Sequence, residues 1–406
     1  MQDKCYVCGS EKLTELLNLG KQPLANDFQN DSEDSLLAES FELVLVLCEN
    51  CSYVFLRQTV DPKRIFAENI YLTGISKQTQ NDMQNFATSC INHFGLTHGS
   101  KVLDIASNDG TLLSIFKSMN FNTIGVDASI NASKVAKEKG IETINSFFDK
   151  GVALQIKKRF GKIDLITMTN LITHVTNPIE ILTSAKEILT ENGHIALEFY
   201  YFDSLVSNIA FDQIYHEHIS YFNMKSLNLL LKKCGLKIDY VEIVGSQGGS
   251  IRCFLSSDDG GTELPTSVQM LLEREGTVLD TINRYRLFAN AVIRKRVELI
   301  DFFKSNQNVN IVGYGASAKT TVLLNYLRLG VGVIKFVADK NPLKLNKYIP
   351  GTDIKIINPE QLKDIKPTFI IIFAWNLAQE IIAYLKEILP YSAKYVLLTP
   401  IMKVMD

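Results

Sequence analysis

The stretch 211–222 holds a dense group of side chains that can give, take or steer a proton. In Tyr215-His216-Glu217-His218, two of the chain's six histidines flank a carboxylate, and tyrosines lie on both sides of the group. Acid–base catalysis needs such groups because each proton transfer requires a donor or acceptor within hydrogen-bond reach. Histidines and aromatic residues also fill protein cores, so the pattern alone leaves catalysis and core packing open. A zinc protease is not favoured, since its helix would place the histidines four residues apart.

Four of the seven cysteines lie in two C-x-x-C pairs near the amino terminus. The pairs are Cys5 with Cys8 and Cys48 with Cys51. Two such pairs can surround one ion with four thiolates, and zinc is the usual metal of a four-sulfur site. No histidine, carboxylate or open position belongs to this set, so we predict a structural rather than a catalytic zinc ion.

A repeating order of strands and helices begins at Lys101 and predicts parallel βαβ units. The turn after the first strand, residues 104–110, lacks the G-x-G-x-x-G pattern with which dinucleotide folds approach a pyrophosphate. Asp127 ends the second strand, where a carboxylate can accept hydrogen bonds from both hydroxyls of a ribose; the alternative is a helix N-cap. Because no phosphate-binding cluster accompanies the turn, the pattern favours a phosphate-free adenosyl cofactor, S-adenosylmethionine (SAM).

The SAM contacts are predicted at the small and polar residues of these strand ends. The set comprises Asp104, Ala106, Asn108, Asp109, Gly110, Asp127, Ala128 and Asn170. His174 follows the third strand, and the carboxyl ends of parallel strands form the edge at which open α/β folds bind ligands. Since the stretch 211–222 comes shortly after the fourth strand, we expect it to fold over the same edge, near His174.

The carboxyl-terminal part carries a second α/β signal. Residues 313–318 approximate G-x-G-x-x-A after a strand and before a helix, and Asp339 ends the next strand. A P-loop is disfavoured because Ala318 stands where glycine must precede Lys319. The segment fits a dinucleotide site, a diphosphate held by Lys319 and loop amides at the helix amino terminus, or a turn that only packs helix on strand.

Length and composition indicate a soluble α/β protein of several domains. The 406 residues carry a formal net charge of -2, so no overall basic field attracts nucleic acid. No apolar run is long enough to span a membrane, and the first residues lack a signal-peptide pattern. We therefore expect a cytoplasmic protein with a small zinc-binding module at 1–62, a Rossmann-like SAM-binding domain with preceding helices at 63–260, and a helical connection plus a Rossmann-like domain at 261–406.

Together these motifs resemble those of the zinc-containing, SAM-dependent sugar C-methyltransferases, the ketosugar C-3-methyltransferases of branched deoxysugar biosynthesis. The resemblance rests on the two cysteine pairs, residues 104–110, His174-Val175, Phe211-Asp-x-Ile-Tyr-His-Glu-His-x-Ser-Tyr-Phe222 and Gly248-Gly249-Ser250-Ile-Arg252. The motifs occur in the same order and cover essentially the whole chain. The block at 211–222 is their most specific part.

The resemblance implies a reaction and a set of roles. In that family, a thymidine-diphosphate-linked 4-keto-6-deoxysugar loses its C3 proton, the keto oxygen takes up the enolate charge, and C3 attacks the methyl group of SAM. His218 resembles the family's base, Glu217 and Tyr215 its supporting polar groups, and His174 a second ionisable group. Substrate contacts are expected at Tyr71, Tyr221, Gly249, Arg252, Tyr314 and Lys319.

Elementary chemistry agrees with these roles. A C–H beside a carbonyl is weakly acidic, so a neutral imidazole must remove the proton while another group stabilises the oxyanion. An imidazole with an unperturbed pKa of about 6.5 is largely neutral at pH 7. Tyr215, Tyr221, His174 or a protonated His216 can donate to the oxyanion, and the sequence does not choose among them. His216 can equally point into the core.

Two other functions stay open on the sequence alone. One is an NAD(P)-dependent oxidoreductase that uses the carboxyl-terminal G-x-G-x-x-A domain, and the other is a non-catalytic zinc-knuckle binding protein. The expected partner is a small-molecule nucleotide sugar, linked to thymidine or cytidine diphosphate, with neither nucleic acid nor membrane. The sequence does not determine the oligomeric state, and a monomer is compatible with it.

Overall fold

The computed structural model describes residues 3–66, 72–261 and 263–406. Its strands are β1 (Leu13–Pro23), β2 (Ser40–Cys48), β3 (Val54–Leu56), β4 (Lys101–Ile105), β5 (Asn122–Asp127), β6 (Glu142–Asn145), β7 (Ile163–Thr169), β8 (Leu189–Tyr200), β9 (Ser220–Tyr221), β10 (Leu236–Val244), β11 (Ser250–Ser257), β12 (Ile311–Tyr314), β13 (Phe336–Ala338), β14 (Lys355–Ile357), β15 (Phe369–Ile372), β16 (Lys394–Leu397) and β17 (Lys403–Met405).

The α-helices are α1 (Ser32–Leu36), α2 (Pro62–Phe66), α3 (Lys77–Phe94), α4 (Thr111–Ser118), α5 (Ile130–Glu138), α6 (Lys150–Phe160), α7 (Pro178–Glu187), α8 (Phe202–Asn208), α9 (Met224–Lys233), α10 (Thr266–Glu275), α11 (Val278–Ser305), α12 (Ala318–Leu327), α13 (Leu362–Ile365) and α14 (Ala378–Ile388). Short 3₁₀ helices occupy Thr73–Ile75, Phe211–Gln213, Ser246–Gly248, Pro359–Gln361 and Trp375–Leu377. No helix in these described ranges is long and apolar enough to cross a membrane.

The amino-terminal sheet is antiparallel and has the order β1-β2-β3-β9. The side chains of strand β2 point alternately to the two faces of the sheet. Both faces are covered by other parts of the protein. Val46 packs into a core shared with the central domain, whereas Leu45 packs into a core shared with the carboxyl-terminal domain. The predicted boundary at residue 62 lies beyond β3, yet the sheet is completed by β9 from the middle of the chain. The zinc-binding module therefore lies between the two α/β domains.

The central sheet has the order β10-β11-β8-β7-β4-β5-β6, with β8 to β6 parallel and β11 and β10 antiparallel. Because the first strand, β4, lies between β5 and β7, the strand order reverses there, and a crevice opens at the carboxyl ends of the strands. Helix α3 covers the sheet with Met83, Phe86 and Cys90 buried, as the periodicity predicted. The predicted parallel βαβ arrangement is confirmed.

The carboxyl-terminal sheet repeats this topology with the order β14-β13-β12-β15-β16-β17. Strand β12 lies between β13 and β15, so a second crevice opens at the turn 315–318. The region 268–305, predicted as helical, consists of two helices, α10 and α11. Gly276 interrupts them with a left-handed φ of 72°, and Thr277 caps α11 by accepting from the amide of Asp280.

Candidate active site

The turn after β4 adopts backbone angles that side chains rarely tolerate. Ala106 has a φ of 63°, Asn108 one of 48° and Gly110 one of 72°. Asn170, at the end of β7 on the same sheet edge, has a φ of 59°. Left-handed angles at residues other than glycine are costly and cluster at ligand-binding sites. The turn thus places small side chains and backbone where the sequence predicted SAM, and the half-buried Ala128 follows the neighbouring strand.

Asp127 connects this turn to the next strand end. One carboxylate oxygen accepts from the amide of Asn108 at 2.8 Å, and the other accepts from the amide of Ser129 at 2.7 Å. Burial raises the pKa of Asp127, whereas these two amides act in the opposite direction. Each oxygen keeps further acceptor capacity for a ribose hydroxyl. The N-cap alternative is wrong, because Ser129 caps α5 by accepting from Ala132.

A segment here called the cofactor strap, the 3₁₀ helix Thr73–Ile75, lies against the same turn. The amide of Thr73 donates to Asn108 Oδ1 at 2.9 Å, and the amide of Gly74 donates to Asp109 Oδ2 at 3.0 Å. Asp109 also forms an ion pair with Lys139 at 3.0 Å. A methyl group on Gly74 would lie 2.8 Å from Asp109 Oδ2, so glycine permits this approach.

Asp104 lies behind the turn rather than on its surface. Its Oδ1 accepts the hydroxyl of Thr167 at 2.7 Å, and burial raises the pKa of Asp104 to about 7. The side chain therefore links β4 to β7 within the sheet. Its predicted contact with SAM remains a prediction.

The orientation of His218 is fixed by a main-chain carbonyl. Its Nδ1 lies 2.7 Å from the oxygen of Gln213. Since a carbonyl only accepts, Nδ1 carries the proton and Nε2 keeps a lone pair. Burial, and after it the neighbouring His174, lowers the pKa of His218 well below its ordinary value. His218 is thus a neutral imidazole with one basic nitrogen, which is the form a general base requires.

Aromatic rings surround His218. The ring centroids of Tyr215, His174 and Tyr221 lie 3.9, 4.9 and 6.4 Å from that of His218. Burial lowers the pKa of His174 to about 4. In the described part of the chain, Nε2 of His174 is buried without a hydrogen-bond partner. Buried polar atoms normally have partners, so this atom marks a place for a polar ligand.

The side chains just before His218 point to the amino-terminal module. Glu217 Oε1 accepts from Asn26 Nδ2 at 2.8 Å, and burial raises the pKa of Glu217 to about 7. The ring of His216 meets Phe41 edge-on at 6.0 Å, and burial lowers the pKa of His216 to about 4. His216 thus takes the core position that the sequence left open. Within the described residues, Glu217 does not orient His218, because the main-chain carbonyl does.

Arg252, predicted to contact substrate, is instead engaged inside the sheet. Its guanidinium pairs with Glu198 at 2.7 Å and Glu242 at 3.0 Å, and Nη1 also donates to Ser89 at 2.9 Å. These partners belong to β8, β10 and α3, so the two carboxylates neutralise the charge and the serine hydroxyl accepts a further hydrogen bond. The predicted role is corrected accordingly: Arg252 holds a buried ion-pair network together and has no nitrogen left for a ligand.

The carboxyl-terminal domain reaches the site through Trp375 and Lys319. Trp375 Nε1 donates to Asp212 Oδ2 at 2.8 Å, and a Cβ on Gly248 would lie 2.2 Å from the indole ring. Lys319 Nζ lies 5.0 Å from the Trp375 ring centroid and donates to Asn376 at 2.6 Å. Burial lowers the pKa of Lys319 to about 8 against the opposing charge of Asp212. After burial and His174, the Lys319 charge also lowers the pKa of His218.

Two of the remaining residues predicted to contact substrate, Gly249 and Tyr314, are tightly packed within the protein. Gly249 has a φ of 133°, and a Cβ there would lie 2.6 Å from Ser204, so packing alone requires glycine. Tyr314 is buried in the core of the carboxyl-terminal sheet, where burial raises its pKa. Tyr71 lies outside the described residues. Sequence reasoning missed Gln213, Asp212 and Trp375, the last of which is the chain's single tryptophan.

The four cysteines predicted to bind zinc converge. Their Sγ atoms lie within 4.8 Å of one another, with Cys5 to Cys51 at 3.6 Å and Cys8 to Cys48 at 3.5 Å. Contact with Cys48, then with Cys5, raises the pKa of Cys51, so several thiolates need a cation to coexist here. Four soft donors in one cluster fit zinc, and the closed all-sulfur set fits a structural ion.

Comparisons with known protein families cover the chain in three segments. Residues 5–66 match a zinc binding domain, residues 79–241 match a methyltransferase domain, and residues 245–400 match the C-methyltransferase C-terminal domain.

Individual relatives agree with these segments. The C-methyltransferase NovU of Streptomyces niveus is 31% identical over 401 residues, covering 98% of this chain and 96% of the relative. The ubiquinone biosynthesis O-methyltransferase of Histophilus somni (strain 2336) is 30% identical over 109 residues, covering 24% of this chain and 44% of that protein. Among solved structures, the plantazolicin methyltransferase BpumL in complex with SAH aligns with a TM-score of 0.38 at 15% identity, covering 45% of this chain and 86% of that one.

Proposed function

The chain belongs to the zinc-containing, SAM-dependent C-methyltransferase family, and from that premise we propose that it methylates C3 of a nucleotide-diphosphate-linked 4-keto sugar. The observation that carries this proposal is the neutral His218, whose Nδ1 is held by a main-chain carbonyl and whose ring lies 4.9 Å from that of His174, while Nε2 of His174 is buried without a hydrogen-bond partner among the described residues. A C-methyltransferase must create a carbon nucleophile, and a base next to a hydrogen-bonding group does so at a carbon beside a carbonyl.

Family membership also decides between the functions that the sequence left open. Residues 245–400 belong to the C-methyltransferase C-terminal domain, so the NAD(P)-dependent oxidoreductase hypothesis is wrong. The non-catalytic zinc-knuckle hypothesis is wrong as well, because the chain matches an enzyme of this type along 98% of its length. The substrate and the path of the proton remain proposals.

His218 starts the proposed reaction. Nε2 takes the C3 proton, and the electron pair of that C–H bond moves to form the C3–C4 double bond of an enolate. The negative charge develops on the keto oxygen, where His174, Tyr215 or Tyr221 can donate a hydrogen bond. Bound SAM supplies a methyl group, which joins C3 while the sulfonium sulfur keeps the bonding electrons. The ketone re-forms, and His218 returns its proton to solvent.

The SAM contacts follow from the turn after β4. We propose that Asp127 accepts the ribose hydroxyls and that the amides and small side chains of 106–110 border the adenosyl group. The cofactor strap closes one side of this site through Gly74 and Asp109. Asn170 and Ala128 complete the same edge of the sheet.

The nucleotide-sugar assignment draws on the carboxyl-terminal domain. Lys319 lies in the first turn of α12, its ammonium lies 5.0 Å from the ring centroid of Trp375, and its charge contributes to lowering the pKa of His218. A helix amino terminus with a lysine is suited to a diphosphate. We propose that the diphosphate binds there, while the sugar extends to His218 and meets Glu217, Tyr221 and Gly249.

The direct test is mass spectrometry after incubation with methyl-labelled SAM and thymidine- or cytidine-diphosphate 4-ketosugars. We expect label at C3 of at least one ketosugar and none on the matched 4-hydroxy sugars, which cannot form the enolate. Label on oxygen, or equal transfer to both sets, would contradict the proposed chemistry. A Lys319→Met variant should raise the KM for the nucleotide sugar and leave the affinity for SAM unchanged.

A further inference from the structure

We propose that the zinc-binding module positions the catalytic loop, so that loss of the four-cysteine site impairs proton abstraction rather than SAM binding. The catalytic loop is defined here as residues 213–222. The inference rests on the proposed role of His218 as base, and it concerns what holds that base in place.

Backbone pairing makes the first connection. The last zinc-binding cysteine, Cys51, is followed almost directly by β3, and β3 pairs antiparallel with β9, which begins two residues after His218. Val54 pairs with Tyr221, and the amide of Leu56 donates to the oxygen of Ile219 at 2.9 Å. The second cysteine pair and the catalytic loop therefore share one sheet edge.

Side chains from the same segment reinforce the pairing. Tyr53, which is fully buried, donates its hydroxyl to Ser220 Oγ at 2.5 Å. Its ring packs against that of Phe222 with centroids 5.1 Å apart. Just beyond the loop, Asn223 Nδ2 donates to Ser52 Oγ at 2.9 Å. The residues directly after Cys51 therefore contact the carboxyl-terminal end of the catalytic loop.

The other end of the loop meets the same module. Asn26 donates to Glu217 at 2.8 Å, and Phe41 packs against His216 at 6.0 Å. These contacts flank His218 on its amino-terminal side, as β3 does on its carboxyl-terminal side. None of these contacts involves the turn at 104–110 that is predicted to bind SAM.

The predicted SAM site is supported separately. The hydrogen bonds and the ion pair of Asp127 and Asp109 come from residues of the central domain, at 74, 108, 111, 129 and 139. A structural zinc ion contributes folding energy to the segment that binds it. Its loss should therefore loosen β3 and the catalytic loop while leaving the turn at 104–110 in place.

The experiment compares the full-length protein with three variants that test the loop contacts and with His218→Ala, which tests the proposed base. Cys8→Ser removes a metal ligand, whereas Tyr53→Phe keeps all four cysteines and deletes only the hydroxyl bonded to Ser220. Tyr391→Phe is the control, because it deletes a partly buried hydroxyl bond in the carboxyl-terminal domain, to the oxygen of Leu362 at 2.6 Å. Each variant is measured for zinc content, SAM affinity, hydrogen–deuterium exchange of loop peptides and exchange of the substrate C3 proton.

Tyr53→Phe should retain zinc and SAM affinity, yet show faster amide exchange across 216–222 and C3 exchange slowed about tenfold, the effect of one lost buried hydrogen bond. Cys8→Ser should lose zinc and show the same pattern more strongly. Protection of the loop equal to that of Tyr391→Phe in both variants would overturn the inference. If His218 were not the base, His218→Ala would keep C3 exchange while loop protection still followed zinc, so the two failures are distinguishable.

Discussion

Nδ1 of His218 lies 2.7 Å from the main-chain oxygen of Gln213, so the tautomer of the proposed base is set by its own loop. Many catalytic histidines are oriented by a carboxylate, and the sequence placed Glu217 next to this one. A carboxylate partner would stabilise the imidazolium and raise its pKa, whereas a neutral carbonyl does so less. The arrangement therefore suits a base that remains neutral until it takes the substrate proton.

Asp212 is predicted to hold the carboxyl-terminal domain against the catalytic loop. Its Oδ2 accepts from Trp375 Nε1 at 2.8 Å and from the Thr399 hydroxyl at 2.9 Å. Asp212→Ala should destabilise the protein by about 2–4 kcal/mol, because the buried Thr399 hydroxyl and the partly buried Trp375 indole lose their acceptor. It should also shift the fluorescence of Trp375, the single tryptophan, to longer wavelength. The exposed Asp301 supplies a control, and fluorescence of Asp212→Ala that matches Asp301→Ala would count against the contact.

Gly74→Ala is predicted to weaken SAM binding. The added methyl group would lie 2.7 Å from Thr111 Oγ1 and 2.8 Å from Asp109 Oδ2, so the cofactor strap must move away from the turn. We expect about a tenfold loss of SAM affinity by calorimetry, equivalent to about 1.4 kcal/mol. Gly332→Ala is the control, because a Cβ there meets nothing within 4 Å. Equal affinities in the two variants would show that the strap does not border the cofactor.

Arg252→Met is predicted to affect stability rather than substrate affinity. Removing the guanidinium leaves the buried Glu198 without its ion-pair partner, a change that typically costs about 3–5 kcal/mol. Urea unfolding should reveal this loss, whereas Arg57→Met, which breaks a partly exposed pair with Glu15, should cost no more than about 1 kcal/mol. If Arg252→Met were stable but had a raised KM for the nucleotide sugar, the result would support the predicted substrate contact and contradict the structural role.

Burial of His216 is predicted to make the free energy of unfolding depend on pH. Its pKa is about 4 in the folded protein, because burial disfavours the charged ring, and about 6.5 in the unfolded chain. The depressed folded pKa means that its contribution to stability is present above pH 6.5 and is lost as the pH falls toward 4. Relative to His216→Gln, the wild-type protein should lose up to about 3 kcal/mol over this interval. Urea unfolding curves at pH 7.5 and 4.5 measure the difference, and a constant offset between the proteins would contradict it.

Much of the scaffold could be predicted because its signals are local. Two C-x-x-C pairs define a metal cluster whatever lies between them, and alternating strands and helices define parallel sheets whose carboxyl ends coincide. That is why the stretch around His218 and the isolated His174 could be expected at one edge, where their rings lie 4.9 Å apart. Asp127 could be found for the same reason, since it ends a strand.

What could not be predicted depends on long-range contacts without periodicity. Strands β3 and β9 contain three and two residues, too few to show an alternating pattern. The acceptor at Gln213 is a main-chain oxygen. Because every residue has one, the sequence does not identify it as the partner of His218. The motif around Arg252 predicted a contact with substrate. Its cross-strand neighbours Glu198 and Glu242 neutralise the guanidinium instead. The motif does not show the strand register that brings these carboxylates next to Arg252.

The central claim is that His218 removes the C3 proton. It is tested by incubating wild-type protein and His218→Ala with a thymidine-diphosphate 4-keto-6-deoxysugar in deuterated water and measuring deuterium at C3. His98→Ala, at an exposed position, serves as the control. We predict that His218→Ala slows C3 exchange about 100- to 10,000-fold, as expected for loss of a general base, while SAM affinity is retained. Unchanged C3 exchange in His218→Ala would contradict the account.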